Sequence, residues 1–285
     1  MSSIDLHSHS TASDGALSPT ELVDRALQRG ITHLALTDHD CVSGIEEAEQ
    51  AADGTALTII PGAEFSTTWE NNQIHVVGLF IDYKNDLLAE HLKKVRIKRE
   101  ERAVAIGAKL SKLGITDAYN KACAEAGDNA VITRGNYARL IFSEGKASSV
   151  DDAFNAFLKK GRMAYVNTVW FDIAEVVSVI KNSGGVAVLA HPRRYDLTNT
   201  KLRRLIGYFK ESGGEALEVA SCQQRPSDRD YLAKLSTEYG LMASQGSDLH
   251  IAATWRDLGL HLDLPLEVKP VWMAREAAKY NFPAV

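Results

Sequence analysis

The chain has 285 residues, of which 45% are apolar and 24% charged, with 7 proline and 20 glycine; such a chain buries about three quarters of its unfolded surface, and neither disorder nor a fibre is expected. Its 32 basic and 37 acidic side chains leave a net charge of −5, which excludes a protein that coats duplex DNA with a basic surface. Cys41, Cys123 and Cys222 form no close pair and leave one over, which excludes a disulfide framework and fits a reducing cytoplasm.

In chain order, Met1-Ser2-Ser3-Ile4-Asp5 has neither the basic nor the apolar region of a signal peptide, and no later apolar run is long enough to span a bilayer. Short apolar runs at 4–6, 33–37, 57–60 and 74–80 read as strands. Between the first two, Ser18-Pro19-Thr20-Glu21 opens a helix with an N-cap residue, proline at its first position and an acidic first turn. Leu22, Val23, Ala26 and Leu27 supply its buried face, and Gly30 stops it. From 88 to about 165 the rhythm changes to helices at 88–113, 136–143 and 150–160 with no clear strand. It returns with a helix at 175–181 and strands at 185–190, 216–219 and 241–244, with helices between. Such alternation predicts an α/β fold around a mostly parallel sheet, open or closed. Residues 1–87 and 166–285 form its body, and 88–165 a helical insert covering the active site.

Six of the nine histidines stand beside a carboxylate or at a strand end: Asp5-Leu6-His7-Ser8-His9, Thr37-Asp38-His39-Asp40, His75, Ala190-His191-Pro192 and Gly246-Ser247-Asp248-Leu249-His250. His7 and His9 are two apart at a strand end, so both point to one face and can grip one ion. Asp14, Glu64 and Asp248 also follow predicted strands, at the end where barrel folds gather their catalytic groups. Imidazole with carboxylate and no nearby thiolate suits manganese, iron or zinc in a hydrolytic site better than a closed structural zinc site. His33, His91 and His261 lack this context and receive no role, and Cys41 reads as a packed or semi-exposed thiol.

In order along the chain, Asp5-x-His7-x-His9, Asp14-Gly15, Thr37-Asp38-His39, Gly62-Ala63-Glu64, His75, Ala190-His191-Pro192 and Gly246-Ser247-Asp248-x-His250 resemble the polymerase and histidinol phosphatase (PHP) family. The helical insert and His191-Pro192-Arg193-Arg194-Tyr195 resemble its TrpH/YciV-like branch, which includes 3',5'-nucleoside bisphosphate phosphatases and a 5'-to-3' exoribonuclease. The resemblance implies a distorted (β/α)7 barrel with a trinuclear site. His7, His9, Glu64 and Asp248 are implied to hold the first metal. Glu64 bridges to a second, held also by His75 and His191, and Asp14, His39 and His250 hold the third. Glu64, Asp248 and His191 are the implied catalytic residues. The ions are expected to be divalent, two or three per chain, manganese first and iron or zinc as alternatives. Asp5, Asp38 and Asp40 are expected to orient the ligand imidazoles. Where the branch commonly reads Arg-x-His, this chain has Arg134-Gly135-Asn136, and Asn136 donates hydrogen bonds but carries no proton at neutral pH.

The one dense basic run, Lys93 to Arg102, places Lys93, Lys94 and Lys98 on a solvated helix face. Arg99 and Arg102 instead interrupt the apolar stripe of Leu92, Val95, Ile106 and Leu110. An inward guanidinium needs an anion, and either an internal carboxylate or a substrate phosphate meets that need. Arg134, Asn136 and Arg194 are the further candidates for substrate contact. The expected activity is hydrolysis of the 3'-phosphate of a nucleoside 3',5'-bisphosphate, with 5'-to-3' trimming of short 5'-phosphorylated RNA. A histidinol phosphate phosphatase and a non-catalytic nucleotide-binding module are the alternatives. The expected partner is a small nucleotide or short RNA, with no duplex DNA, no membrane and no protein partner specified.

Overall fold

The computed structural model describes residues 2–127 and 130–283. Seven strands, β1 (Ile4–Asp5), β2 (His33–Leu36), β3 (Thr58–Trp69), β4 (Asn72–Leu79), β5 (Val186–Leu189), β6 (Ala216–Ser221) and β7 (Met242–Gly246), lie side by side in sequence order. The sheet curls until its edges meet: Leu6 N donates to Gln245 O at 3.0 Å and Asp248 N to His7 O at 2.8 Å. Asp5 reinforces this seam, accepting from Ser247 N at 2.9 Å and Gly259 N at 3.0 Å.

Neighbouring strands are parallel except around β4, which runs antiparallel to β3 and β5. Here the structure departs from the sequence reading, which ended the third strand at residue 60. The run Phe65-Ser66-Thr67-Thr68-Trp69 is rich in strand formers and continues β3. Glu70 and Asn71, both with positive φ, then turn it directly into β4 with no helix between.

Alternation along the strands decides what lies inside the barrel. Ile60, Val77, Leu79, Val186, Val188 and Ala216 belong to one apolar cluster. Residues interleaved with them, Ala63, Phe65, Val76, Ala187, Leu189 and Leu217, pack in another with α7 (Ile173–Asn182), α8 (Asn199–Glu211) and α9 (Pro226–Glu238). By the same period of two, Glu64, His75 and Glu218 share the inner face. On the other side, α1 (Pro19–Gln28) and α2 (Ile45–Ala52) cover Leu34, Leu36 and Ile59. Ser18 and Glu21 form a capping box at the start of α1.

Between β4 and β5 the chain makes α3 (Asp86–Lys112), α4 (Ala118–Ala126), α5 (Arg134–Ser143) and α6 (Val150–Ala153), the last running into one π turn at Phe154–Leu158. The sequence reading missed α2 and α4. The four helices share an apolar cluster built on Ile106, Leu110, Tyr137, Ile141 and Leu158. Buried Arg99 and Arg102 sit on α3 where it passes the mouth of the barrel.

Candidate metal centre and anion pocket

At the carboxyl ends of the strands the inner face turns polar. His7 and His9 follow β1, His39 follows β2, Glu64 and His75 lie on β3 and β4, His191 follows β5 and Asp248 follows β7. The backbone there is strained, with φ of 48° at Asp40, 28° at His191 and 51° at Asp248, a cost that folds tolerate mainly at functional sites.

The donors converge in three overlapping groups, each with its ligand atoms within 4.8 Å of one another: His7, His9, Glu64 and Asp248; His39, Glu64 and His75; and His9, Asp14, His39 and His250. His191 Nε2 lies 2.8 Å from Glu64 Oε1, as does His75 Nδ1. All nine sequence-predicted ligands are therefore in one nest, with His9, His39 and Glu64 each shared between groups. His7 Nε2 and Glu64 Oε2 are buried, 3.4 Å apart, and neither has a hydrogen-bond partner among the described residues. Two such atoms facing each other cost free energy unless a cation takes both. The nest therefore fits a divalent metal.

Charge in the nest is divided sharply. Burial resists ionisation of Glu64, yet His75, His39 and His7 hold its carboxyl well below the usual range. Asp14 is likewise held low, against burial, by His250 and His39. Burial pushes His39 down to about 4 despite Glu64 and Asp14. His250 moves the other way: burial lowers it, but Asp14 and Asp248 outweigh this and push it up to about 9.

Asp5, Asp38 and Asp40 do not orient imidazoles as expected. Asp5 holds backbone amides, Asp38 accepts from Ser10 and Ser13, and Asp40 accepts from Ser66 N and Arg99. The orienting carboxylate is one the sequence reading missed, Glu218, whose Oε2 is 2.8 Å from His7 Nδ1. That bond sets the tautomer that leaves Nε2 free for a cation. Its only sequence signal is an acid inside the apolar strand Ala216–Ser221. Tyr195, quoted but given no role, accepts from His75 N at 2.8 Å and donates to Ala190 O at 3.0 Å, fixing two ligand-bearing strands to each other.

Beside the nest opens a cavity of about 690 Å³. Of the four candidate arginines, Arg99 is engaged internally: Nε donates to Asp40 Oδ2 at 2.6 Å and Nη2 to Ser66 Oγ at 2.9 Å. Arg194 pairs with Asp248 and so positions that carboxylate. Arg102 and Arg134 differ. Both reach Gln73 Oε1, at 3.5 and 3.3 Å, and no carboxylate among the described residues pairs with either. Burial, then the charges of Arg134 and Arg99, pull Arg102 well below the usual arginine range, and burial lowers Arg134 as well. Two neighbouring guanidiniums that stay protonated invite an anion.

Asn136 does not reach this cavity, a correction to its expected substrate contact. It closes the capping box of α5, accepting from Thr133 N at 2.8 Å and donating to Ser13 O at 3.2 Å. Both ends of its amide are thus occupied by backbone, and it is buried.

The model of the PHP domain family matches residues 5–246. The chain belongs to the PHP domain family. It is 46% identical over 268 residues to a 5'-3' exoribonuclease of Haemophilus influenzae, covering 94% of this chain and 97% of the relative. To a 3',5'-nucleoside bisphosphate phosphatase of Chromobacterium violaceum it is 40% identical over 278 residues, covering 97% and 98%. A structure of an amidohydrolase from Chromobacterium violaceum, with sulfate bound and no metal, superposes with a TM-score of 0.90 at 39% identity, over 98% of this chain and 100% of the other. In this PHP chain, no helix among the described residues is long and apolar enough to cross a membrane.

Proposed function

We propose that this PHP chain is a metal-dependent phosphoesterase that removes the 3'-phosphate of nucleoside 3',5'-bisphosphates and trims short 5'-phosphorylated RNA from its 5' end. One observation carries the reading: Arg102 and Arg134, which have no carboxylate partner among the described residues, line the same cavity as the nine-donor nest. A substrate with two phosphates meets both features, one phosphate at the donors and the other at the arginines. The names of the relatives from Haemophilus influenzae and Chromobacterium violaceum support it.

The two activities are one reaction. Cleaving the bond between phosphorus and the 3'-oxygen releases phosphate from a bisphosphate and a nucleoside 5'-monophosphate from RNA. The shortened RNA keeps a 5'-phosphate and is again a substrate. We assign two or three divalent ions, manganese first and iron or zinc as alternatives, to His7, His9, Glu64 and Asp248; to Glu64, His75 and His191; and to Asp14, His39 and His250. When bound, such ions neutralise charge on the phosphoryl oxygens and supply a water acidic enough to attack near neutral pH. Glu64, Asp248 and His191 hold the reacting centre, with Glu218 keeping His7 in its ligating tautomer and Arg194 steadying Asp248. Arg102 and Arg134 clamp the phosphate that does not react. Residues 88–165 serve as an insert covering the active site, on a barrel of 1–87 and 166–285; Arg102, Arg134 and Phe154, which line the cavity, support this. Three free cysteines fit a cytoplasmic location.

The test is a panel in added manganese that reads phosphate release from the phosphomonoesters and nucleoside 5'-monophosphate release from RNA. The expected result is turnover of 3'-phosphoadenosine 5'-phosphate and of short 5'-phosphorylated RNA, no turnover of AMP or histidinol phosphate, and loss of activity on chelation. A preference for histidinol phosphate, which brings one phosphate and leaves the arginine pair without a use, overturns the reading.

A further inference from the structure

We propose that Trp255 is a stacking platform for the base on the far side of the scissile bond, the second nucleotide of a 5'-phosphorylated RNA. The proposal rests on the functional reading above and adds a subsite that the bisphosphate does not use.

Trp255 lines the cavity together with Asp14, Glu64 and His250, yet it is 62% exposed. It therefore stands at the mouth. The segment carrying it is pinned: Ala253 N donates to Arg256 O at 2.8 Å and Arg256 N to Ala253 O at 3.1 Å, so Thr254 and Trp255 form the tip of a tight turn. Cys222 Sγ donates to Trp255 O at 3.5 Å, and Arg256 Nη2 reaches Gln223 Oε1 at 3.5 Å, tying the C-terminal side of the tip to the loop after β6. Anchoring the backbone under an exposed indole at the mouth of a cavity keeps a large apolar face wet, which a ligand there would cover. Phe154, also lining the cavity, already has the Arg134 guanidinium 5.0 Å from its ring centroid.

A mononucleotide bound between the donor nest and Arg102–Arg134 ends at its 3'-phosphate. An RNA continues past that phosphorus and leaves by the mouth, where its next base meets the indole. Stacking on an aromatic face accepts any base, as repeated trimming of RNA requires.

The experiment compares Trp255→Ala and Trp255→Phe with wild type on two substrates, a 5'-phosphorylated dinucleotide and 3'-phosphoadenosine 5'-phosphate. The expected result is a fall in kcat/KM of about tenfold or more on the dinucleotide for Trp255→Ala, with most of it restored in Trp255→Phe. The bisphosphate should change less than about twofold, which also reports that the variant is folded. Equal loss on both substrates, or no loss on either, overturns the platform. Wild-type protein that hydrolyses neither substrate overturns the functional reading itself, a separate result.

Discussion

An imidazole binds a cation through a lone pair, so the protonation of each histidine decides how the nest takes up metal. His39, held at about 4, presents its lone pair throughout the neutral range. His250, held at about 9, carries a proton below that pH in the metal-free protein. Metal uptake at Asp14, His39 and His250 must then release at least one proton at pH 7.5, and affinity should rise as pH climbs towards 9. Calorimetry of metal binding in buffers of different ionisation enthalpy reads that proton directly; a buffer-independent enthalpy contradicts it. The arginines make a second residue-level prediction. Arg99→Ala leaves the buried Asp40 carboxylate without its partner, so stability should fall by about 3 kcal/mol in denaturant unfolding. Arg102→Ala removes a charge repelled by its neighbours and should unfold close to wild type. Equal losses would mean that Arg102 also has a structural anion. In sequence these two residues look alike, three apart on one stripe. Asp40 and Gln73 distinguish them, and both arrive from other elements, which is why the sequence left the choice between ion pair and substrate open. The histidine motifs were legible because a period of two puts neighbours at a strand end on one face.

At the scale of elements, the centre depends on how α5 meets the loop after β1. Gly135, in the first turn of α5, stands so close to Asp14 that an added Cβ would lie 2.5 Å from Asp14 Oδ2. Thr133 Oγ1 bonds the same carboxylate oxygen, so Asp14 has little room to yield. Gly135→Ala should therefore displace a donor while gaining up to about 1 kcal/mol of helix propensity. We expect activity to fall roughly a hundredfold, metal content to drop, and thermal stability to hold. Wild-type activity in this variant would mean that Asp14 is not a ligand. The sequence identified the start of α1 from its cap and proline but not α4, whose N-cap residue Asp117 sits in a left-handed conformation and makes no side-chain cap bond. The β3–β4 hairpin escaped for a related reason: the turn is Glu70-Asn71, without the glycine that usually signals such a turn. Asn136 was legible as the residue standing where the similar branch has the histidine of Arg-x-His, but its role as the closing member of a capping box depended on Thr133 being the N-cap.

For the whole molecule, a chain of net charge −5 nevertheless places two arginines that have no carboxylate partner among the described residues, Arg102 and Arg134, in one cavity beside a metal-binding nest. The α/β alternation made the barrel and its helical excursion readable, because each strand buries both faces and each helix one. How the barrel closes was not readable: the seam runs through Leu6, Asp5 and Gln245, residues some 240 apart in the chain. The central claim is that the barrel supplies the chemistry and α3 with α5 supplies the choice of substrate. It is tested most directly by the ratio of kcat/KM for adenosine 3',5'-bisphosphate to that for adenosine 3'-monophosphate, measured in wild type and in Arg102→Ala. A charge-assisted contact worth roughly 1.5 to 3 kcal/mol predicts a wild-type ratio on the order of ten to a hundred. In Arg102→Ala the ratio should collapse towards one while the monophosphate rate stays near wild type. A ratio that survives the substitution, or a monophosphate rate that falls with it, would contradict the account.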